Sequence, residues 1–177
     1  MRRVVCFVLV VGLMVISHRV HAFERQWHAG IDFGYAGVTW RDQFRKGLGG
    51  GLHGAYGLTD AYNLLLEVGA STHFVDSEDC EGCPNLRTGH AAMGMAYTLD
   101  VISWVPYMGL LVGGYRFWGA EQAAEFKLGF QGALGCDYRP SRSWAVGLQA
   151  RYHTFSDAPF TANYLTVFAR FELLWGW

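Results

Sequence analysis

The sequence predicts an all-β chain, an eight-stranded antiparallel up-and-down transmembrane β-barrel, and three observations predict it. Apolar residues alternate with small or polar ones through eight consecutive segments from Trp27 onward, aromatic residues cluster at both ends of the apolar side of those segments, and charge is scarce. Only 16% of the 177 residues are charged against 51% apolar and 16% aromatic, where an ordinary soluble domain carries about 25% charged residues.

The N-terminus reads as a secretory signal. Met1-Arg2-Arg3 is basic, Val4 to Ile16 is an apolar run, and Val20-His21-Ala22 places small residues at −3 and −1, so cleavage is expected after Ala22, leaving 23–177 as the barrel. The apolar run holds 13 residues, short of the roughly 20 that a membrane-spanning helix needs. Removing Arg2, Arg3 and Arg19 leaves 11 of 14 basic residues against 15 acids, a net −4, which argues against nucleic acid as a partner. Of the four cysteines, Cys6 leaves with the signal. In an oxidising compartment, Cys80-Glu81-Gly82-Cys83 is expected to form a small loop disulfide.

Each strand follows from its alternation. In the first, Trp27, Ala29, Ile31, Phe33 and Tyr35 oppose His28, Gly30, Asp32, Gly34 and Ala36; in the second, Leu48, Leu52, Tyr56 and Leu58 oppose Gly47, Gly49, Gly51, His53 and Ala55. The third sets Tyr62, Leu64, Leu66, Val68, Ala70, Thr72 and Phe74 against Asn63, Glu67, Gly69, Ser71 and His73, with Leu65 as the exception. The fourth, about Arg87 to Leu99, sets Ala91, Met93, Met95 and Tyr97 against Thr88, His90, Ala92, Gly94 and Ala96. The fifth, Val105 to Phe117, is apolar on both faces; Met108, Leu110 and Val112 are placed outward because that leaves Gly109 and Gly113 inside. In the sixth, Phe126, Leu128, Phe130, Leu134 and Tyr138 oppose Glu125, Lys127, Gly129, Gln131, Ala133, Gly135 and Asp137. The seventh opposes Trp144, Val146, Leu148, Ala150 and Tyr152 to Gly147, Gln149, Arg151 and His153. The eighth opposes Leu165, Val167, Ala169, Phe171, Leu173, Trp175 and Trp177 to Thr166, Arg170 and Glu172, with Phe168 and Leu174 as exceptions.

Connections alternate in length. Thr59 to Ala61, Asp100 to Ser103 and Arg139 to Ser143 read as tight turns, whereas Thr39 to Lys46, Val75 to Leu86, Trp118 to Ala124 and Phe155 to Ala162 read as longer loops. The apolar face is expected to meet lipid. Its partner face of glycine, alanine, threonine, glutamine and histidine would coat a soluble protein poorly but suits a lumen just wide enough for side chains. The apolar face also carries Trp27, Tyr56, Tyr62, Tyr97, Tyr138, Trp144 and Trp175 at the turn ends and Tyr35, Phe74, Phe126 and Tyr152 at the loop ends, two girdles for two membrane interfaces.

On these residues the chain resembles the OmpA/OmpX/OmpW-type superfamily of small outer-membrane barrels. Pro106-Tyr107-Met108-Gly109 through Gly113-Gly114-Tyr115 is similar to that group's Pro-Tyr-x-Gly strand, and Tyr56-Gly57-Leu58-Thr59-Asp60 to its turn. Phe171, Leu173, Trp175 and Trp177 resemble its C-terminal membrane-insertion signal. The resemblance implies residence in the outer membrane of a Gram-negative envelope. It also implies contact with outer-membrane lipid and lipopolysaccharide, insertion by the barrel-assembly machinery, and a monomer without cofactor. Unlike OmpA, the sequence carries no peptidoglycan-binding domain, and its loops are short for an adhesin.

Candidate chemistry lies on the inward register. Asp32, Glu67, Asp137 and Glu172 face Lys127, Arg151 and Arg170, and a lumen of low dielectric requires such charges to pair, so an internal network that plugs the barrel is expected, with an ion path as the alternative. His28, His53, His73, His90 and His153 share that register. They are read as lumen histidines under the loop closed by Cys80 and Cys83, the alternatives being a zinc or copper site of His73, His90, Cys80 and Cys83, or titration near pH 6. Asp76, Glu78, Asp79 and Glu81 read as a solvated acidic loop rather than a divalent-cation site, and Cys136 as a small apolar residue on the lipid-facing register. His153, Ser156 and Asp157 resemble the His/Ser arrangement of lipid A deacylases, but the spacing is three rather than two. The expected function is therefore a non-enzymatic barrel with a structural or surface-contact role. A narrow OmpW-like channel or small-ligand conduit is the alternative, and a lipid A-modifying hydrolase the remote one.

Overall fold

The computed structural model describes residues 25–40, 43–74, 85–99, 103–119, 122–156 and 163–176. They form β1 (Trp27–Trp40), β2 (Gln43–Gly57), β3 (Tyr62–His73), β4 (Leu86–Thr98), β5 (Trp104–Gly119), β6 (Gln122–Tyr138), β7 (Trp144–Phe155) and β8 (Tyr164–Trp175). Every strand pairs antiparallel with its neighbours in sequence, and β1 closes on β8, giving one closed barrel. The leader expected over 1–22, Cys80, Cys83, the acids of 76–81, Asp157 and Trp177 lie outside the described residues.

Closure leaves no sheet edge, so the ladders between strands use the backbone groups that lipid could not satisfy. Following the register once around, Trp27 leads through Tyr56, Leu64, Met95, Leu110, Gly132, Tyr152 and Leu165 back to β1 at Gly37, a displacement of 10 residues. A stagger of this kind accompanies strands tilted about 35–45° and, for eight strands, an interior filled by side chains.

The alternation is realised throughout. Phe33, Leu110 and Phe126 are 65%, 77% and 68% exposed on the outer wall, while Arg151, Glu172 and Asp32 are 5%, 3% and 4% exposed inside, the inverse of a soluble barrel. Rings pair along the turn end of that wall, Trp27 with Tyr56 at 4.6 Å between centroids, Tyr62 with Tyr97 at 5.3 Å and Trp104 with Tyr138 at 4.9 Å. The doubly apolar β5 takes the phase set by its glycines: Met108, Leu110 and Val112 face outward, and Tyr107, Leu111, Tyr115 and Phe117 are buried.

Tight turns close one end. Thr59 Oγ1 accepts the amides of Ala61 at 3.3 Å and Tyr62 at 3.1 Å, and Ser141 Oγ accepts that of Ser143 at 3.2 Å. At the other end two connections are shorter than their polar composition suggests. Thr39 to Lys46 is not a loop: β1 and β2 stay paired out to Trp40 and Gln43. Trp118 to Ala124 likewise continues β5 and β6 to Gly119 and Gln122, with a register shift at Phe117/Gly119 accommodated by Gly119 at φ +95°. Charged residues there imply leaving the hydrocarbon layer, which does not end backbone pairing.

Bulky lumen residues sit over glycines. The Tyr107 ring covers Gly135, where a Cβ would meet its Cε1 at 2.6 Å, whereas a Cβ on Gly132 would meet nothing within 4 Å. Gly135→Ala is accordingly expected to lower stability by about 1–3 kcal/mol, as overpacking does, and Gly132→Ala to change it by less than about 0.5 kcal/mol. Urea unfolding midpoints of the two variants in detergent micelles check the pair.

Candidate functional site

The lumen holds one polar network to which all eight strands contribute. Arg170 on β8 is its centre. Its guanidinium donates to Glu172 and to the Tyr107 hydroxyl, lies 2.8 Å from His53 Nε2 and 3.6 Å from Asp137, and sits 4.9 Å from the centroid of the Tyr107 ring. His53 on β2 joins two acids, with Nε2 3.0 Å from Glu172 and Nδ1 3.1 Å from Asp32 on β1. Arg151 on β7 bridges Asp32 at 3.2 Å and Glu67 on β3 at 2.8 Å. Glu67 also accepts from the Gln131 amide on β6 and faces His90 on β4 at 3.4 Å, and His28 approaches Glu172 at 3.5 Å.

This arrangement revises the expected pairing. Lys127 is not the third base of the central cluster; its ammonium pairs with Glu125 at 3.2 Å, nearer the loop end of β6. Four acids therefore meet two arginines, and three of the five lumen histidines complete the cluster. His28, His53 and His90 each face a carboxylate.

Above the ions the lumen becomes aromatic. His153 is fully buried, with Nδ1 2.9 Å from the Tyr115 hydroxyl and its ring 4.4 Å from that of Tyr164. The Tyr115 hydroxyl also lies within donating distance of Gln131 Oε1, at 3.1 Å. Tyr164 reaches Ser71 at 2.9 Å, and Ser71 reaches His73 at 2.9 Å. Ala36, Val38, Leu86, Tyr115, Phe117, Phe155 and Tyr164 then close the loop end as an apolar plug, none more than 2% exposed. The turn end is looser. A cavity of about 30 Å³, room for one or two water molecules, lies among His28, Asn63, Thr98, Tyr107, Asp137 and Arg139. Asn63 donates to Thr98 at 3.0 Å, and its carbonyl oxygen has no hydrogen-bond partner among the described residues.

The alternative chemistries fare differently. No group of three or more metal-ligating side chains forms among the described residues, where His73 bonds Ser71 and Thr88 while His90 lies against Tyr115 and His153. Ser156 donates to the Leu128 carbonyl at 3.2 Å and is exposed, whereas His153 is buried against Tyr115, so the two do not form a nucleophile and base pair. Cys136 is a free thiol, partly buried in the outer wall. The insertion-signal positions Phe171, Leu173 and Trp175 are exposed on the outer wall of β8.

Sequence reasoning missed Tyr107, Tyr115 and Tyr164 as lumen groups, while Gln131 and Gln149, placed on the inward register, are buried there at 1% and 3% exposure. A signal existed for the first two: Tyr107 and Tyr115 share parity with Gly109 and Gly113, and the inward registers of the flanking strands are small, with Ala92, Ala96, Gly129, Ala133 and Gly135 leaving room that only β5 can fill.

Comparison with known proteins agrees with this architecture. Neisserial surface protein A superposes with a TM-score of 0.70 at 12% identity, covering 83% of this chain and 96% of that one. Ail, the attachment invasion locus protein of Yersinia pestis, gives 0.59 at 12% identity over 86% and 100%. The outer membrane protein OprG of Pseudomonas aeruginosa gives 0.57 at 11% identity over 88% and 98%. At these identities the likeness is one of fold. No curated protein sequence matches the chain. The model of the outer membrane protein beta-barrel domain matches residues 6–171, nearly the whole length, and the chain belongs to that family.

Proposed function

We propose that the protein is a non-enzymatic, non-conducting barrel that serves the envelope structurally and through surface contact at its loop end. The observation that carries this reading is the lumen itself: an ion network reaching every strand, with a buried apolar plug above it. An ion crossing such a lumen would have to displace Arg170 or Arg151 from their carboxylates and part the rings of Phe117 and Phe155, which lie 5.3 Å apart. On the same reading the protein acts as a monomer, exported by removal of residues 1–22 and inserted through recognition of Phe171, Leu173, Trp175 and Trp177. The water-sized cavity at the turn end favours a second reading, a narrow conduit, which requires the plug to move.

Planar-bilayer recordings separate the two. The reconstituted barrel is expected to give no persistent single-channel steps, and their appearance would favour the conduit. A companion prediction concerns the network. Arg170→Gln leaves Glu172 and Asp137 facing each other without their cation, and is expected to lower unfolding stability by about 3–5 kcal/mol. Adding Glu172→Gln should restore part of that loss, a coupling that a double-mutant cycle in urea measures.

A further inference from the structure

The strands distribute their charges unequally between the two faces. Their five acids, Asp32, Glu67, Glu125, Asp137 and Glu172, all share the lumen register. Three cations share the outer one: Lys46 on β2, Arg87 on β4 and Arg116 on β5 are exposed on the outer wall at its loop end. The outer wall of the strands thus presents cations at one rim and no carboxylate of its own, and none of the three forms an ion pair with a described acid.

Their spacing is that of a grip. Arg87 stands opposite Trp118 and Arg116 opposite Gly89, so the two arginines are diagonal neighbours on adjacent strands, roughly 7–8 Å apart at their roots. Between them the Trp118 indole lies across Gly89, where a Cβ would meet it at 3.1 Å. On the other side, Arg116 pairs in register with Phe126, whose ring covers Gly114. An indole and a phenyl ring flanking two guanidinium groups fit the boundary between acyl chains and headgroups. Phosphate accepts bidentate donation from guanidinium, and neither arginine pairs with an acid among the described residues.

We propose that this wall of β4 and β5 is a binding site for the phosphate of a phosphorylated glycolipid of the surrounding leaflet, gripped by Arg87 and Arg116. The proposal rests on the membrane placement above and names a lipid contact on the wall rather than in the lumen or loops. Phosphorylated lipid A is the probe, titrated onto the folded full barrel in maltoside micelles with EDTA present. Arg87→Gln with Arg116→Gln is expected to weaken binding about thirtyfold and Arg116→Gln alone about fivefold, at about 1 kcal/mol per interfacial arginine. Arg142→Gln, in the exposed turn between β6 and β7, should bind like the parent protein, and dephosphorylated lipid A should bind the parent no better than phosphorylated lipid A binds the double variant. Equal binding of the two lipids, an unaffected double variant, or full competition by inorganic phosphate at equal phosphate concentration would overturn the site. A parent chain that never acquires its heat-modifiable, folded mobility in micelles would overturn the membrane placement as well.

Discussion

An eight-stranded barrel with a displacement of 10 residues encloses a space that side chains from opposite walls must share, and that restriction governs what each strand can carry. Arg151 and Asp32 meet across 119 positions of sequence, and Gln131 and Glu67 across 64. Volume is shared in the same way: Tyr107 occupies the space that Gly135 vacates, and Leu111 packs with Ala92 and Ala133. No strand's inner face is complete by itself. The backbone ladder supplies closure, and the lumen must then be filled by residues that suit one another.

The outer and inner faces differed so sharply in the solvents they meet that the alternation, the number of strands and their order were legible in the sequence. β5 was harder, because a strand apolar on both faces has no chemical contrast to fix its phase. Its resolution lay in size, with Gly109 and Gly113 marking the inner register and Tyr107 and Tyr115 following from parity. Their hydroxyls reconcile a bulky apolar strand with a polar interior, Tyr107 meeting Gln149 at 3.0 Å and Tyr115 meeting Gln131 at 3.1 Å. Pairings inside the network were not legible. That Lys127 would join Glu125, and that His53 would bridge Asp32 and Glu172, depends on the stagger between strands, which periodicity does not encode.

The ends of the strands posed a different difficulty. Thr39 to Lys46 contains Arg41, Asp42, Arg45 and Lys46, and read as loop because lipid-facing strands are expected to be apolar. Above the hydrocarbon layer that expectation lapses, while the reason for pairing persists: a backbone amide bonded across a hairpin costs nothing in side-chain choice. Val38 and Phe117, buried where β1 and β5 enter these extensions, belong to the plug.

Stability alone does not explain why the interior is ionic. Transferring an ion from water to protein costs several kcal/mol, and a well-packed apolar cluster would often hold the wall as firmly as a buried salt bridge. The apolar plug at the loop end shows that this chain can fill part of its lumen in that way. What the charges add is discrimination. Because side chains alternate with period two, a strand that slipped by one residue would turn its whole inner face to lipid. For β8 such a slip would expose Arg170 and Glu172, and an arginine at the middle of the membrane costs about 2–4 kcal/mol. It would also strip Asp137, His53 and Tyr107 of their common partner. A network that contributes little in the correct register therefore penalises each wrong one heavily, on all eight strands together, and the alternation that keeps any 20-residue stretch from reading as a spanning helix also specifies a single barrel.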